Sequence, residues 1–272
     1  MNNSPISVVV YLTNHCYLNC NHCFFKQLEQ LNTDTLDYDI LINALKYFRD
    51  HNTFIIAYTG GDPLLHPRFL DILEKTKELG MLPLLGISGA NVDDSIAKDI
   101  HSANVGCVQV GLNGHNESLN DQYRGKGSFR EAIKSIQTLQ NNNVNVNISF
   151  CLDKKNYRAI KDMLIFAKDI KAYKVKIEYW QNMNSKEYSE LELTKEDKEY
   201  IYSICEEYMK KNNLEDWIQC PKAKTNLVTI HSKSLVIMPN GDIKNHEFGE
   251  VIGNLYNKKI EEILEVKDNE QK

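Results

Sequence analysis

Short runs in which oily and polar residues alternate recur along the first two thirds of the chain, and stretches with a three- to four-residue apolar period separate them. The period of two predicts strands over residues 6–12, 53–59, 82–88, 105–112, 144–151 and 174–180. The longer period predicts helices over 38–51, 67–79, 93–103, 128–141 and 157–171. Ser128 with Glu131 three residues on reads as a capping box that starts the fourth helix. Strand–helix units repeated in this way argue for a parallel sheet with right-handed crossovers. Six units are too few for the closed eight-stranded barrel.

The alternation also separates the two faces of the sheet. Val144, Val146, Ile148 and Phe150 oppose Asn145, Asn147, Ser149 and Cys151. Val108, Val110 and Leu112 oppose Cys107, Gln109, Gly111 and Asn113, while Val175, Ile177 and Tyr179 oppose Lys176 and Glu178. A parallel sheet buried on both faces reads as continuous apolar runs. The polar face therefore lines either a cavity for polar ligands or a satisfied hydrogen-bond network inside a filled barrel.

At 272 residues the chain holds one large domain, or one domain and an appendage. A formal net charge of −5 gives no basic footprint for nucleic acid, so a nucleic-acid substrate is disfavoured. No apolar run approaches the roughly 20 residues of a membrane span. The polar start Met1-Asn2-Asn3-Ser4-Pro5 carries no secretory signal. Seven cysteines, an odd count, point to a reducing cytoplasm over a disulfide framework.

Three of those cysteines, Cys16, Cys20 and Cys23, follow the first strand with the spacing C-x3-C-x2-C. Three thiolates suit a 4Fe–4S cluster with one iron left without a protein ligand. A zinc ion completed by His15 or His22, or three unrelated core cysteines, are the other readings. The second strand runs into Gly60-Gly61-Asp62-Pro63, a tight turn whose glycines let backbone carbonyls approach a ligand and whose proline fixes the exit. Both motifs fall at carboxyl ends of strands, where parallel α/β folds collect their chemistry.

Together these motifs resemble radical S-adenosylmethionine (radical SAM) enzymes: the cysteine triplet with His22 before its last member, then Thr59-Gly60-Gly61-Asp62-Pro63 in place of the family's "GGEP" turn. The resemblance implies an open six-stranded (β/α)6 partial barrel with a small α+β C-terminal extension. It implies one 4Fe–4S cluster on Cys16, Cys20 and Cys23, with His22 beside it. It also implies S-adenosylmethionine held by Gly60, Gly61, Asp62 and Pro63, with Ser88, Asn113, Arg124 and Ser149 as further contacts. The expected reaction cleaves the cosubstrate reductively to a 5′-deoxyadenosyl radical, which takes a hydrogen atom from the substrate. Departures from the family pattern are Asp62 for Glu, Gly111-Leu112-Asn113-Gly114 for Ser-Leu-Asp-Gly, and Ser88-Gly89-Ala90-Asn91 for Thr-Asn-Gly.

Beyond residue 180 the pattern changes. Residues 181–192 read as a linker and 194–212 as an amphipathic helix capped by Thr194 and Asp197. Residues 227–230 and 235–238 read as paired strands, Asn240-Gly241 as a turn, and 260–264 as a last helix. This end resembles a SPASM or twitch extension, which implies a core over residues 1–185 and an extension over 186–272. Relatives bind auxiliary clusters there, but this stretch has only Cys220, with His246 at a position usually held by cysteine. It reads as a remnant without an auxiliary cluster.

That C-terminal resemblance implies a peptide substrate. A small polar metabolite such as an aminosugar and a non-catalytic iron–sulfur protein are the alternatives. An external low-potential electron donor of flavodoxin or ferredoxin type is expected. With no winged-helix domain before the first strand, a peptide would be presented by a separate leader-peptide-binding protein. An epimerase needs a thiol to return a hydrogen atom, and Cys220, with Cys151 in reserve, is the expected donor.

Overall fold

The computed structural model describes residues 5–23, 34–181, 190–222, 235–246 and 249–264. Its centre is a parallel sheet of six strands in sequential order: β1 (Ser7–Tyr11), β2 (Ile55–Thr59), β3 (Leu82–Ile87), β4 (Val108–Leu112), β5 (Val146–Leu152) and β6 (Lys174–Tyr179). Helices α1 (Tyr38–Asp50), α2 (Phe69–Glu78), α3 (Asp94–Ser102), α4 (Glu117–Arg124), α5 (Ser128–Asn141) and α6 (Ile160–Asp169) connect them. The sequential parallel strand order is the one expected from the alternating pattern. The central six strands form an α/β partial barrel.

The sheet continues past both ends of this core. β7 (Ile218–Gln219) adds parallel to β6 after the long helix α7 (Lys195–Asn212). On the other side β8 (Leu235–Ile237) lies parallel to β1, pairing Val8 with Leu235 and Val10 with Ile237. β9 (Asp242–Lys244) and β10 (Val251–Asn254) then extend it antiparallel, giving ten strands among the described residues. The expected linker lies largely outside the described residues, and the strand at 227–230 lies wholly outside them.

Side-chain alternation sorts as the sequence predicts. Val8, Val10, Ile56, Tyr58, Val108, Val110, Ile148, Phe150, Val175 and Ile177 are buried in one core beneath the helices. Gln109, Asn147, Ser149, Lys176 and Glu178 share the opposite face, with Gln109 paired to Asn147 and Ser149 to Lys176. A register slip of one residue would exchange the two sets.

Two local expectations are corrected. Ser128 is not the cap of α5: Gly127, at φ +83°, precedes the helix. The capping acceptor is Asp121, whose carboxylate takes the amides of Gly127 and Phe129 and the Ser128 hydroxyl. A side chain from the preceding helix thus replaces the local box. Residues 117–124, which carry no oily stripe, are nevertheless helical; the Asn116 side chain caps them through the Leu119 amide, at 2.9 Å. The expected box at α7 is present, with Thr194 and Asp197 bonded reciprocally.

Candidate active site

The cysteine loop is rooted where β1 ends. Thr13 bridges to Thr35 and the Asn14 amide donates to the Asp34 carbonyl at 3.0 Å, so the returning chain brackets the loop. The turn after β2 braces it from the other side. Gly61 N–H donates to the Thr13 carbonyl and Asp62 N–H to the His15 carbonyl, each at 2.7 Å. A Cβ on Gly60 would collide with the Thr13 carbonyl oxygen, and one on Gly61 with that of His15. Gly60 also sits at φ +139°, a backbone region that favours glycine. Both glycines are therefore needed for packing against the cysteine loop itself, a reason the sequence reading missed.

Asp62 is fully buried and its carboxylate is engaged by protein. It caps the 3-10 turn Pro63–Leu65 through the Leu64 amide at 3.1 Å. It also receives the amide of Ser88, at 3.0 Å, and the Ser88 hydroxyl. Burial raises its pKa, while the hydrogen bonds from Ser88 and Leu64 and the charge of Arg124 oppose the rise. Buried polar groups are costly unless hydrogen-bonded, so this residue joins the ends of β2 and β3. Arg124 completes the join: its Nη1 donates to the carbonyls of Ser88, at 3.3 Å, and Gly111. The bare Cα of Gly111 lets the guanidinium lie close, since a Cβ there would approach Nη2 to 2.8 Å.

Cys16 is exposed, Cys23 half-buried and Cys20 buried. Burial around its sulfur lifts Cys16 to about 11, with Asp62, Cys20 and Cys23 adding to the rise and the Leu18 amide, which donates to that sulfur, opposing it. Among the described residues no three His, Cys, Asp or Glu side chains converge as a single-ion site. His22 sits edge-on to Tyr123, ring centroids 5.6 Å apart.

Comparison with known proteins decides the family. The family model of the Radical SAM superfamily matches residues 10–167, more than half of the chain. This protein is a member of the Radical SAM superfamily. Fe-coproporphyrin III synthase of Methanosarcina barkeri is 30% identical over 164 residues, which cover 58% of this chain and 40% of that enzyme. The chain matches half or less of the length of the first curated relatives. Native anSMEcpe with bound AdoMet and a Cp18Cys peptide superposes with a TM-score of 0.79 at 16% identity, covering 98% of this chain and 82% of that one. Streptococcus suis SuiB bound to precursor peptide SuiA superposes with a TM-score of 0.78 at 14% identity, covering 96% and 64%.

Radical SAM enzymes use a 4Fe–4S cluster and S-adenosylmethionine, and the residues present fit both. Three thiols on one braced loop are a donor set for the cluster. Asn113, 1% exposed, has a buried Oδ1 that no group among the described residues meets, and Arg124 has a buried Nε in the same state. Such atoms are normally satisfied, so an acceptor and a donor are held ready at the rim.

Other sequence candidates fall in different places. Ser149 lies on the polar face of the sheet and donates to Glu178 at 2.8 Å, and Glu178 pairs with Lys176 at 2.7 Å. Cys151 shares this face, opposite Glu178 in the register. Burial, then the charges of Glu178 and Asp153, push its pKa up, which keeps it a thiol. Cys220 lies 3.6 Å from the hydroxyl of Tyr179, on the helix-covered side of β6. The Cys205 thiol draws Cys220 down, and Cys220 pushes Cys205 up. Sequence reasoning missed α4 as the hub of the site; its Asn120 and Tyr123 are buried although neither belongs to an apolar stripe.

Proposed function

We propose that the chain modifies a peptide by abstracting a hydrogen atom from one of its residues. The observation carrying this reading is the likeness over nearly the whole chain to two enzymes solved with peptides bound. The polar sheet face of Gln109, Asn147, Ser149, Lys176 and Glu178 supports a ligand rich in hydrogen-bonding groups.

When bound, the cluster and S-adenosylmethionine supply a 5′-deoxyadenosyl radical by reductive cleavage. Cys16, Cys20 and Cys23 would hold the cluster. Backbone groups of Gly60 and Gly61, the rim atoms of Asn113 and Arg124, and Ser149 would hold the cosubstrate. Asp62, Pro63 and Ser88 act through the turn they stiffen, and His22 through its packing on Tyr123. A reaction that returns a hydrogen atom to the substrate draws it from Cys151, the thiol on the polar sheet face, and not from Cys220.

Residues 186–272 serve as a SPASM-like remnant without an auxiliary cluster. The electron donor is an external low-potential flavodoxin or ferredoxin, and a separate protein presents the peptide's leader. Among the described residues no helix is long and apolar enough to cross a membrane.

The test is anaerobic turnover of the reconstituted chain with S-adenosylmethionine, a reductant and a short precursor peptide encoded beside it. The expected result is 5′-deoxyadenosine together with a changed peptide mass. An unchanged peptide beside turnover of an aminosugar would replace this reading with the small-metabolite one.

A further inference from the structure

The last turn of α4 ties the cysteine loop to the strand ends, and Tyr123 is the knot. Its backbone carbonyl accepts the Asn21 amide at 2.9 Å, and the carbonyl before it, of Gln122, accepts the Asn21 side chain at 3.2 Å. Its ring receives His22 edge-on. Its hydroxyl donates to Asp153 Oδ1 at 2.8 Å. Asp153, 2% exposed, is itself fixed just beyond β5, since the same oxygen accepts the amides of Lys155, at 2.8 Å, and Asn156, at 3.2 Å. Asn156 in turn donates to the carbonyls of Asn113 and Cys151. The next residue along is Arg124, clamped onto the ends of β3 and β4.

One side chain therefore spans from the loop that bears the cluster thiols to the end of β5, and its neighbour in sequence reaches into the rim. We propose that Tyr123 is a positioning residue, whose hydrogen bond to Asp153 fixes the separation between the cysteine loop and Arg124 at which S-adenosylmethionine is received. The phenol is suited to this because it stays protonated: burial first, then the bond to Asp153, raises its pKa. A phenylalanine would keep the ring contact with His22 and the backbone bonds to Asn21 and lose only the anchor. The helix turn could then rotate about its remaining contacts, moving loop and guanidinium relative to each other. This inference rests on membership of the superfamily and is independent of whether the substrate is a peptide.

The experiment uses the full chain, anaerobically reconstituted and reduced, with S-adenosylmethionine titrated into the electron paramagnetic resonance signal of its 4Fe–4S cluster. Tyr123→Phe is expected to keep the wild-type iron content and cosubstrate-free spectrum. It should need about tenfold more S-adenosylmethionine to reach the half-way spectral change, the loss of one hydrogen bond to a charged group. Asp153→Asn keeps an oxygen at Oδ1, where all three donors converge, and should titrate like wild type. A wild-type midpoint for Tyr123→Phe, measured per loaded cluster, would overturn the proposal even if that variant bound less iron. An Asp153→Asn midpoint displaced as far as that of Tyr123→Phe would overturn it too, because there the hydrogen bond survives.

Discussion

Asp62 holds Ser88 twice, by amide and by hydroxyl, and so joins the ends of two neighbouring strands directly behind the cysteine loop. The Asp62 carboxylate, which the resemblance places among the cosubstrate contacts, also braces the turn beside the cysteine loop. Asp62→Ala leaves the buried Ser88 amide without an acceptor and should cost about 1–3 kcal/mol. Ser88→Ala, which keeps the amide bond, should cost less. Urea denaturation of the cluster-free forms measures both, and equal losses would show that the hydroxyl carries the contact.

Gly61→Ala tests the packing of the turn on the loop. Its Cβ would meet the His15 carbonyl, backbone that cannot swing aside. The expected outcome is a folded chain, by circular dichroism, that retains less than half of the wild-type iron after reconstitution. Full iron retention would mean that the loop yields without moving its thiols.

What could be read from the sequence was local. The C-x3-C-x2-C spacing, the glycine pair and the alternation Val146, Ile148, Phe150 against Asn147, Ser149, Cys151 are each written within a few residues, and the sheet keeps them as read. The braces were hidden because their partners lie far apart: Asp62 with Ser88, Tyr123 with Asp153, Asn113 with Asn156. Helix α4 escaped because it buries Asn120 and Tyr123, polar-tipped residues with no apolar stripe. The place of Cys220 was hidden for a third reason: which side of Tyr179 a segment packs against is recorded by no periodicity.

Stoichiometry gives a direct check on the cysteines. One cluster per chain means about four irons and four sulfides, because three thiolates with one open iron complete a single 4Fe–4S unit. Replacing Cys16, Cys20 and Cys23 together should leave essentially none. Values near eight of each would require a second ligand set.

His66 makes stability depend on pH. Its Nδ1 accepts the Arg68 amide at 3.1 Å, so its Nε2 carries the proton donated to the Leu36 carbonyl at 2.8 Å. Burial lowers its pKa below the ordinary 6.5. The unfolded chain then binds the proton first, so this contribution is complete above about pH 6.5 and is lost as pH falls through the interval below it. Urea midpoints at pH 7.5 and 5.5 should differ more for wild type than for His66→Asn. Equal differences would assign the acid sensitivity elsewhere.

The pairing of β8 with β1 sets an order on how the chain can be completed. Val8 and Leu235 lie side by side although more than two hundred residues separate them, so the outer edge of β1 stays open on the ribosome until residues 235–237 have emerged. Closing so long a loop is entropically slow. The thiols that follow β1 therefore hang from an unfinished edge while those two hundred residues are made, and that edge closes only when β8 docks.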